Sequence, residues 1–330
     1  MASGQAKDRS ETDVRPLSVE LSVVVPVYGC RGCLRELCAR VARAVTPVVR
    51  SYEIVLVDDG SPDDAWAEIR TLVDSQSAVR GVRLTRNFGQ HAAITAGISV
   101  SEGDWIAVLD CDLEDPPEVL PEMYRMAGAG YEVVVGRRTR RTQGSLRALL
   151  SKLYFVILNR LSDVRLDPAQ GALSLFSRRV SAEYLRLGDG DRHHVMILKW
   201  LGFRTVTLDY EQDPRFSGHS SYTMRALLGS AASGLLFQTT GLLQHVIYTG
   251  LTLAALGFLV AAFLVYQRFA ADIQPGWTSL AVLILIVGGI IVASVGVVGL
   301  YVGRLFEKSR GRPLFLIEDV IDRRTPTSGR

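Results

Sequence analysis

Short apolar runs alternate with amphipathic segments through the first 135 residues. The runs at 22–27, 53–57, 79–84, 105–109 and 132–135 read as strands, and 22–27 as a buried one. Between them, 33–44, 65–75, 90–100 and 117–127 carry the spacing of helices. Pro26 is expected to end the ladder of the first strand, and Ser61 or Asp63 to cap the second helix. Strands alternating with helices predict an α/β fold with a mostly parallel sheet covered on both faces. Ligands of such sheets bind at the carboxyl ends of the strands. Acidic pairs fall at two of those ends, Asp58-Asp59 and Asp110 with Asp112. No glycine-rich dinucleotide fingerprint follows the first strand.

The second half of the pattern is different. Residues 144–161 and 223–237 are amphipathic, and two readings stay open for both: packing against the sheet, or lying in a membrane interface. Residues 245–266 and 278–302 are apolar and long enough to cross a hydrocarbon core of ~30 Å. Basic residues flank the pair on its outer sides, at Arg225 and at Arg304, Lys308, Arg310 and Arg312. The positive-inside rule then places the catalytic domain and the tail in the cytoplasm, around a two-helix transmembrane hairpin. The expected division is a disordered tail over 1–18, a catalytic domain over 19–222, an interface helix over 223–240, membrane helices within 241–303, and a cytoplasmic tail over 304–330. Gly288, Gly289, Gly296 and Gly299 permit close helix contact and so a homo-oligomer.

Composition sharpens this picture in three places. Hydrophobic residues make up 48% of the 330, with the excess near the C-terminus. A net charge of +3 excludes a general nucleic-acid binder, while basic clusters at 137–147 and 304–312 suit anionic lipid or phosphate. The cysteines are Cys30, Cys33, Cys38 and Cys111. Cys30-x-x-Cys33 lacks the second half of a zinc site, so reduced, structural thiols are expected, in keeping with a cytosolic domain. The first eighteen residues have no apolar core, hence no cleavable signal peptide is expected.

The chemistry concentrates in Asp110-Cys111-Asp112-Leu113-Glu114-Asp115-Pro116-Pro117. If the strand alternation continues, Asp110, Asp112 and Glu114 face one side. Carboxylates that close repel unless a cation neutralises them, and an all-oxygen set suits Mg²⁺ or Mn²⁺ bound together with substrate phosphates. A solvated acidic turn is the plain alternative for an isolated Asp-x-Asp.

Four segments set this motif in context: Ser22-Val23-Val24-Val25-Pro26-Val27-Tyr28, then Asp58-Asp59-Gly60-Ser61 with Asp63, then Arg86-Asn87-Phe88-Gly89, then the Asp110 segment. In order and spacing the chain resembles the family 2 glycosyltransferases of GT-A fold, most closely the polyprenyl-phosphate glycosyltransferases, the group of dolichol-phosphate mannose synthase and its bacterial relatives. The resemblance covers residues 20–225 well, and the two apolar helices and basic tail look like the bacterial branch in a plasma membrane.

That resemblance implies roles. Pro26, Tyr28, Asp58 and Asp59 line the nucleoside pocket, Asn87 and Gly89 shape it, and Asp110 faces ribose and metal. Asp112 ligates the metal, and Glu114, where many relatives have Gln, adds a further carboxylate. Arg137, Arg147 and Ser151 hold the acceptor phosphate; apart from the resemblance, Arg138, Arg140 and Arg141 read as a lipid-facing basic surface. Asp167, in an Asp-Pro-x-x-Gly turn, orients the acceptor or caps the turn. Arg215 reaches the diphosphate, from a loop in which Ser221 replaces the usual Lys. His193 and His194 read first as structural. The implied partners are a UDP- or GDP-sugar, polyprenyl phosphate and membrane lipids. The implied reaction is metal-dependent transfer of one sugar with inversion at the cytoplasmic membrane face. Transfer to another membrane lipid, and a non-catalytic membrane scaffold that keeps the fold, are the competing readings.

Overall fold

A computed structural model describes residues 19–139, 167, 169–187, 193–214, seven positions between 248 and 266, and 277–323. Strand β1 (Leu21–Val27) is buried at all seven positions and pairs in parallel with β2 (Tyr52–Asp58) on one side and β4 (Trp105–Val108) on the other. Strand β3 (Val79–Leu84) extends this parallel core beyond β2. Past β4 the sheet continues through β6 (Gln170–Ser177), which runs antiparallel, to β5 (Val133–Arg138) and β7 (Thr205–Tyr210). The full order is β7-β5-β6-β4-β1-β2-β3-β8, with β8 at Ile317–Asp322.

Period-2 alternation sorts the side chains to two faces. Val23, Val25 and Val27 pack on one core with Leu37 and Val41 of α1 (Leu34–Val45), Ile69 and Leu72 of α2 (Ala65–Ser75) and Met123 of α4 (Leu120–Gly128). Val24, Val55 and Val57 pack on the other with Ala93 and Ile94 of α3 (Gln90–Val100), Tyr184 of α5 (Arg178–Arg186) and Leu198 of α6 (His194–Trp200). The result is the expected three-layer α/β arrangement.

Pro26 does not end β1: it lies in register with Val57. Pairing of β1 with β4 stops at Val24, so one edge of β1 needs no amide donor at Pro26. The tail also differs from expectation. Strand β8 joins the sheet antiparallel to β3, so residues beyond the last apolar helix belong to the same sheet. Arg80 anchors it: its guanidinium, 11% exposed, donates to Asp322 at 2.9 Å, to Glu102 at 2.7 Å and to the Val100 carbonyl at 2.5 Å.

Helix α7 (Trp277–Ser309) is 33 residues long, or about 50 Å at 1.5 Å per residue. Between Trp277 and Gly303 its sequence has no charged residue, and Leu280, Ile284, Ile291, Val295 and Val302 are exposed. The described positions between 248 and 266 are helical, with Leu256, Leu259 and Phe263 exposed. Over the described residues, taken by themselves, no helix is long and apolar enough to cross a membrane. The full sequence is continuously uncharged from 277 to 303. The hairpin therefore rests on the sequence. Residues 1–18, both amphipathic segments at 144–161 and 223–237, and Ser221 lie outside the described residues.

Candidate active site

The carboxyl ends of β1, β2 and β4 lie side by side because the strands pair in parallel. Tyr28 leaves β1 with 47% of its surface exposed. The loop behind it is tied to the loop after β2. Ser61 Oγ accepts from the Gly29 amide at 2.7 Å and donates to Asp63 Oδ1 at 2.8 Å, while Asp63 Oδ2 accepts from the Arg31 amide at 2.8 Å. Ser61 and Asp63 are thus spent joining two loops and do not cap α2. Asp64 occupies the cap position with φ 55° and no side-chain cap bond.

The two aspartates after β2 divide their work. Asp58, 2% exposed, accepts from the Ser61 amide at 2.9 Å and stands 3.8 Å from Arg83 Nε. Asp59 accepts from the amides of Phe88 at 2.7 Å and Gly89 at 2.9 Å, one on each oxygen. Asp59 therefore holds the 86–89 loop, which carries Asn87, against the end of β2. Burial raises both carboxyls above their usual value, against those same amide donors. Gly60 makes the crossing possible: its φ is +67°, and a Cβ there would sit 2.7 Å from the Asn87 nitrogen.

Strand β4 ends at Val108, and the chain then turns. Asp110 Oδ1 accepts from Gln90 Nε2 at 2.7 Å. Asp112 Oδ1 accepts from the Glu114 amide at 3.1 Å, a turn closed by a side chain. Leu113, with φ 61° and 1% exposure, takes a left-handed backbone while its side chain plugs the core. This turn breaks the alternation that put three carboxylates on one face. Glu114 Oε2 instead accepts from Gln212 Nε2 at 3.3 Å, and among the described residues no three His, Cys, Asp or Glu side chains converge to hold a metal.

Behind Asp110 lies a buried polar group that the sequence did not disclose. Asp115 is fully buried and accepts from Arg138 on both oxygens at 3.0 Å and from the Tyr210 hydroxyl at 2.7 Å. The same guanidinium stands 3.7 Å from Asp110 Oδ2. Arg138 is thus a 21%-exposed internal cation, not part of a lipid-facing surface. Gly171 flanks it closely, since a Cβ there would meet the guanidinium at 2.8 Å. Asp110 keeps 22% of its side chain open, yet loss of hydration is the largest influence on it. With repulsion from Asp115 and Asp112, and against Arg138 and Gln90, its carboxyl is pushed up to about 7.

Among the expected acceptor residues, Arg137 points the other way from its neighbour. It is half-exposed and makes a two-bond pair with Asp209 at 2.6 and 2.7 Å, with Asp167 at 3.9 Å. Asp167 caps its turn by accepting from the Ala169 amide at 2.9 Å, and stays 35% exposed. Arg147, Ser151 and Arg215 lie outside the described residues. His194 is fully buried, with Nε2 2.8 Å from Ser174 Oγ, and the His91 and His193 rings are 4.8 Å apart. Burial lowers all three below the usual imidazole value, His91 to about 3.

The thiol expectation is corrected as well. Cys30 and Cys111 are joined in a disulfide, while Cys33 and Cys38 stay outside it, both buried. The two halves approach because the loops after β1 and β4 emerge from adjacent strands, a proximity no sequence spacing reveals.

The glycosyl transferase family 2 model matches residues 22–185. Over 306 residues the chain is 31% identical to an uncharacterized glycosyltransferase of Synechocystis sp., covering 92% of this chain and 96% of that protein. This chain belongs to glycosyl transferase family 2. It is a glycosyltransferase with a GT-A-like α/β fold. It is also 32% identical over 320 residues to the undecaprenyl-phosphate 4-deoxy-4-formamido-L-arabinose transferase of Pseudomonas aeruginosa, covering 96% and 94% of the two chains. To the bactoprenol glucosyl transferase of Shigella phage SfV it is 30% identical, covering 91% and 99%. For a glycosyltransferase of this family the donor set at β4 is informative. Mg²⁺ and Mn²⁺ are usually held by one or two carboxylates plus substrate phosphates. Asp110 and Asp112 fit an ion that arrives with a nucleotide diphosphate, not a preassembled three-carboxylate cage.

Proposed function

We propose that the chain transfers a single sugar from a nucleotide-sugar donor to polyprenyl phosphate at the cytoplasmic membrane face. One observation carries this reading: Tyr28, Asp58, Asp110 and Asp112 gather at the carboxyl ends of three adjacent parallel strands. Relatives named for undecaprenyl phosphate and bactoprenol supply the acceptor class. The uncharged run within α7 and the apolar stretch before it supply the membrane anchor, as a hairpin with basic outer flanks.

Tyr28 and Asp58 receive the nucleoside, and Asp59 keeps the 86–89 loop in place for it. Asp110 and Asp112 would hold a divalent ion, which would supply charge neutralisation at the diphosphate, and Arg215 adds its own positive charge there. Arg137, Arg147 and Ser151 receive the acceptor phosphate. The nucleophile is a phosphate oxygen, ionised near neutral pH because its second pKa is ~6. No strong base is required, so catalysis rests on positioning and electrostatics, and direct displacement inverts the anomeric carbon. Asp167 orients the acceptor side through Arg137.

The test is transfer of radiolabel from a panel of UDP- and GDP-sugars to polyprenyl phosphate in membranes carrying the full chain. Asp112→Ala should abolish labelling and excess chelator should do the same. Undiminished transfer in chelator would remove the metal from the scheme. Label in diacylglycerol-type lipid alone would replace the acceptor, and no label from any donor would leave a scaffold.

A further inference from the structure

The Cys30–Cys111 bridge joins two loops that the fold already secures. On one side, Gly29 and Arg31 are held through Ser61 and Asp63, and Cys33 and Leu34 are buried immediately after. On the other, Leu113 and Asp115 plug the core beneath the Asp110 segment. The bridged Cα atoms are 6.3 Å apart across 81 residues of sequence, an ordinary separation for a disulfide. Folding therefore has other anchors for both loops. The bridge adds a covalent tie between the loop that follows Tyr28, two residues before Cys30, and the segment that carries the carboxylates on either side of Cys111.

We propose that Cys30 and Cys111 form a thiol–disulfide modification site, closed by small disulfides and opened by small thiols, that controls donor entry between Tyr28 and the Asp110-x-Asp112 pair. The role of these residues in holding the donor is the reading given above, and this proposal rests on it. In the closed form Asp110 is held by Gln90 and Arg138 while its neighbour Cys111 is tethered to the opposite loop. A nucleotide diphosphate has to enter between those tethered loops. Opening the bridge removes the covalent tie between them, so the reduced form binds donor more tightly.

The chemistry balances with a small disulfide as oxidant. One cysteine thiolate attacks the disulfide, forming a mixed disulfide and releasing one thiol. The second cysteine thiolate displaces the other half, giving Cys30–Cys111 and a second thiol, and both protein protons leave with the two released thiols. Cys111 is only half-buried, which gives the exchange a point of attack, whereas Cys30 is 9% exposed. Cys38 is inert by contrast: it is fully buried, and burial pushes its thiol up to about 12. In a reducing compartment such as the proposed cytoplasmic face, disulfides are typically transient and redox-sensing.

The experiment equilibrates the full-length chain, in detergent, with mixtures of reduced and oxidised glutathione. Each sample is split for alkylation with peptide mass mapping, and for equilibrium dialysis with radiolabelled UDP or GDP plus Mn²⁺. Oxidation should link Cys30 to Cys111 and weaken nucleotide binding roughly 5-fold or more, the lower end of coupling between linked sites. Cys30→Ser should bind like the reduced protein at every ratio. Binding that does not change while the bridge closes would overturn the proposal. Full alkylation of both cysteines at the most oxidising ratio would overturn the bridge and leave the donor reading intact. Absence of nucleotide binding in both redox states would overturn the donor reading, and with it the bridge's control of donor entry, while the mapped bridge stood.

Discussion

Removing the Arg138 side chain should cost this domain more stability than any surface arginine. In Arg138→Met the fully buried Asp115 keeps only the Tyr210 hydroxyl, having lost two guanidinium bonds of 3.0 Å. Breaking a buried pair by removing one partner leaves an uncompensated charge and costs about 3–5 kcal/mol. At roughly 2–4 °C per kcal/mol for a domain of 150–250 residues, the unfolding midpoint should fall by about 6–20 °C. Met fills most of the vacated volume, so the loss is chiefly electrostatic. Asp115→Asn added to Arg138→Met should recover much of it, because replacing both ends of a buried pair is often near neutral. The assay is thermal unfolding of the purified chain in one detergent for wild type, both single variants and the double, read as a mutant cycle. A single variant within a degree of wild type would refute the claim that this is a buried, paired charge. A double variant no better than Arg138→Met would refute its assignment to Asp115.

Three further outcomes follow from other parts of the fold. His91 and His194 are lowered below 6.5 by burial, so the stability they contribute is full above about pH 6.5 and is lost as pH falls toward their folded values. At pH 5 this amounts to about 2 kcal/mol for His91, whose folded value is about 3, and His194→Asn should flatten the decline of the midpoint between pH 7 and 5; parallel declines would count against it. Gly60→Ala, at φ +67° and 2.7 Å from the Asn87 nitrogen, should cost about 1–3 kcal/mol and raise the donor KM more than it lowers kcat; a normal midpoint and KM would show that the 86–89 loop does not depend on that crossing. Asp322→Ala removes one of the carboxylates around the nearly buried Arg80 and should loosen β8, seen as faster amide exchange across 317–322 with the other strands protected; unchanged exchange would mean that backbone pairing alone holds the strand.

How far the sequence disclosed this molecule follows from which interactions are local. Strands β1 to β5 and the helices between them are built from neighbouring residues whose periodicity is their own, and they lie where the pattern put them within a few residues. The acidic ends of β2 and β4 were visible for the same reason: in a parallel sheet, a carboxylate after an apolar run stands at the ligand edge. Glu114 departs from the period-2 expectation because β4 ends at Val108 and the chain then bends through Leu113 at φ 61°. Nothing in Leu113 as a residue type announces that bend, which coincides with burial of its side chain. Arg138 and Arg137 are adjacent arginines, and alternation sends them to opposite sides, one into Asp115 and the other out to Asp209. The partners that tell them apart lie 23 and 72 residues away, so no local pattern separates the two. Strand β8 was hidden by a longer separation, 242 residues between Arg80 and Asp322. That separation has a functional consequence. Because β8 returns to the sheet after α7, the chain enters the sheet on both sides of its apolar segments. Under the proposed hairpin anchor, the catalytic sheet is then attached to the membrane at two places rather than one. Two attachments limit how far the sheet can rotate about the anchor, and so keep the ends of β1, β2 and β4 at a constant height for a lipid acceptor whose phosphate cannot leave the interface.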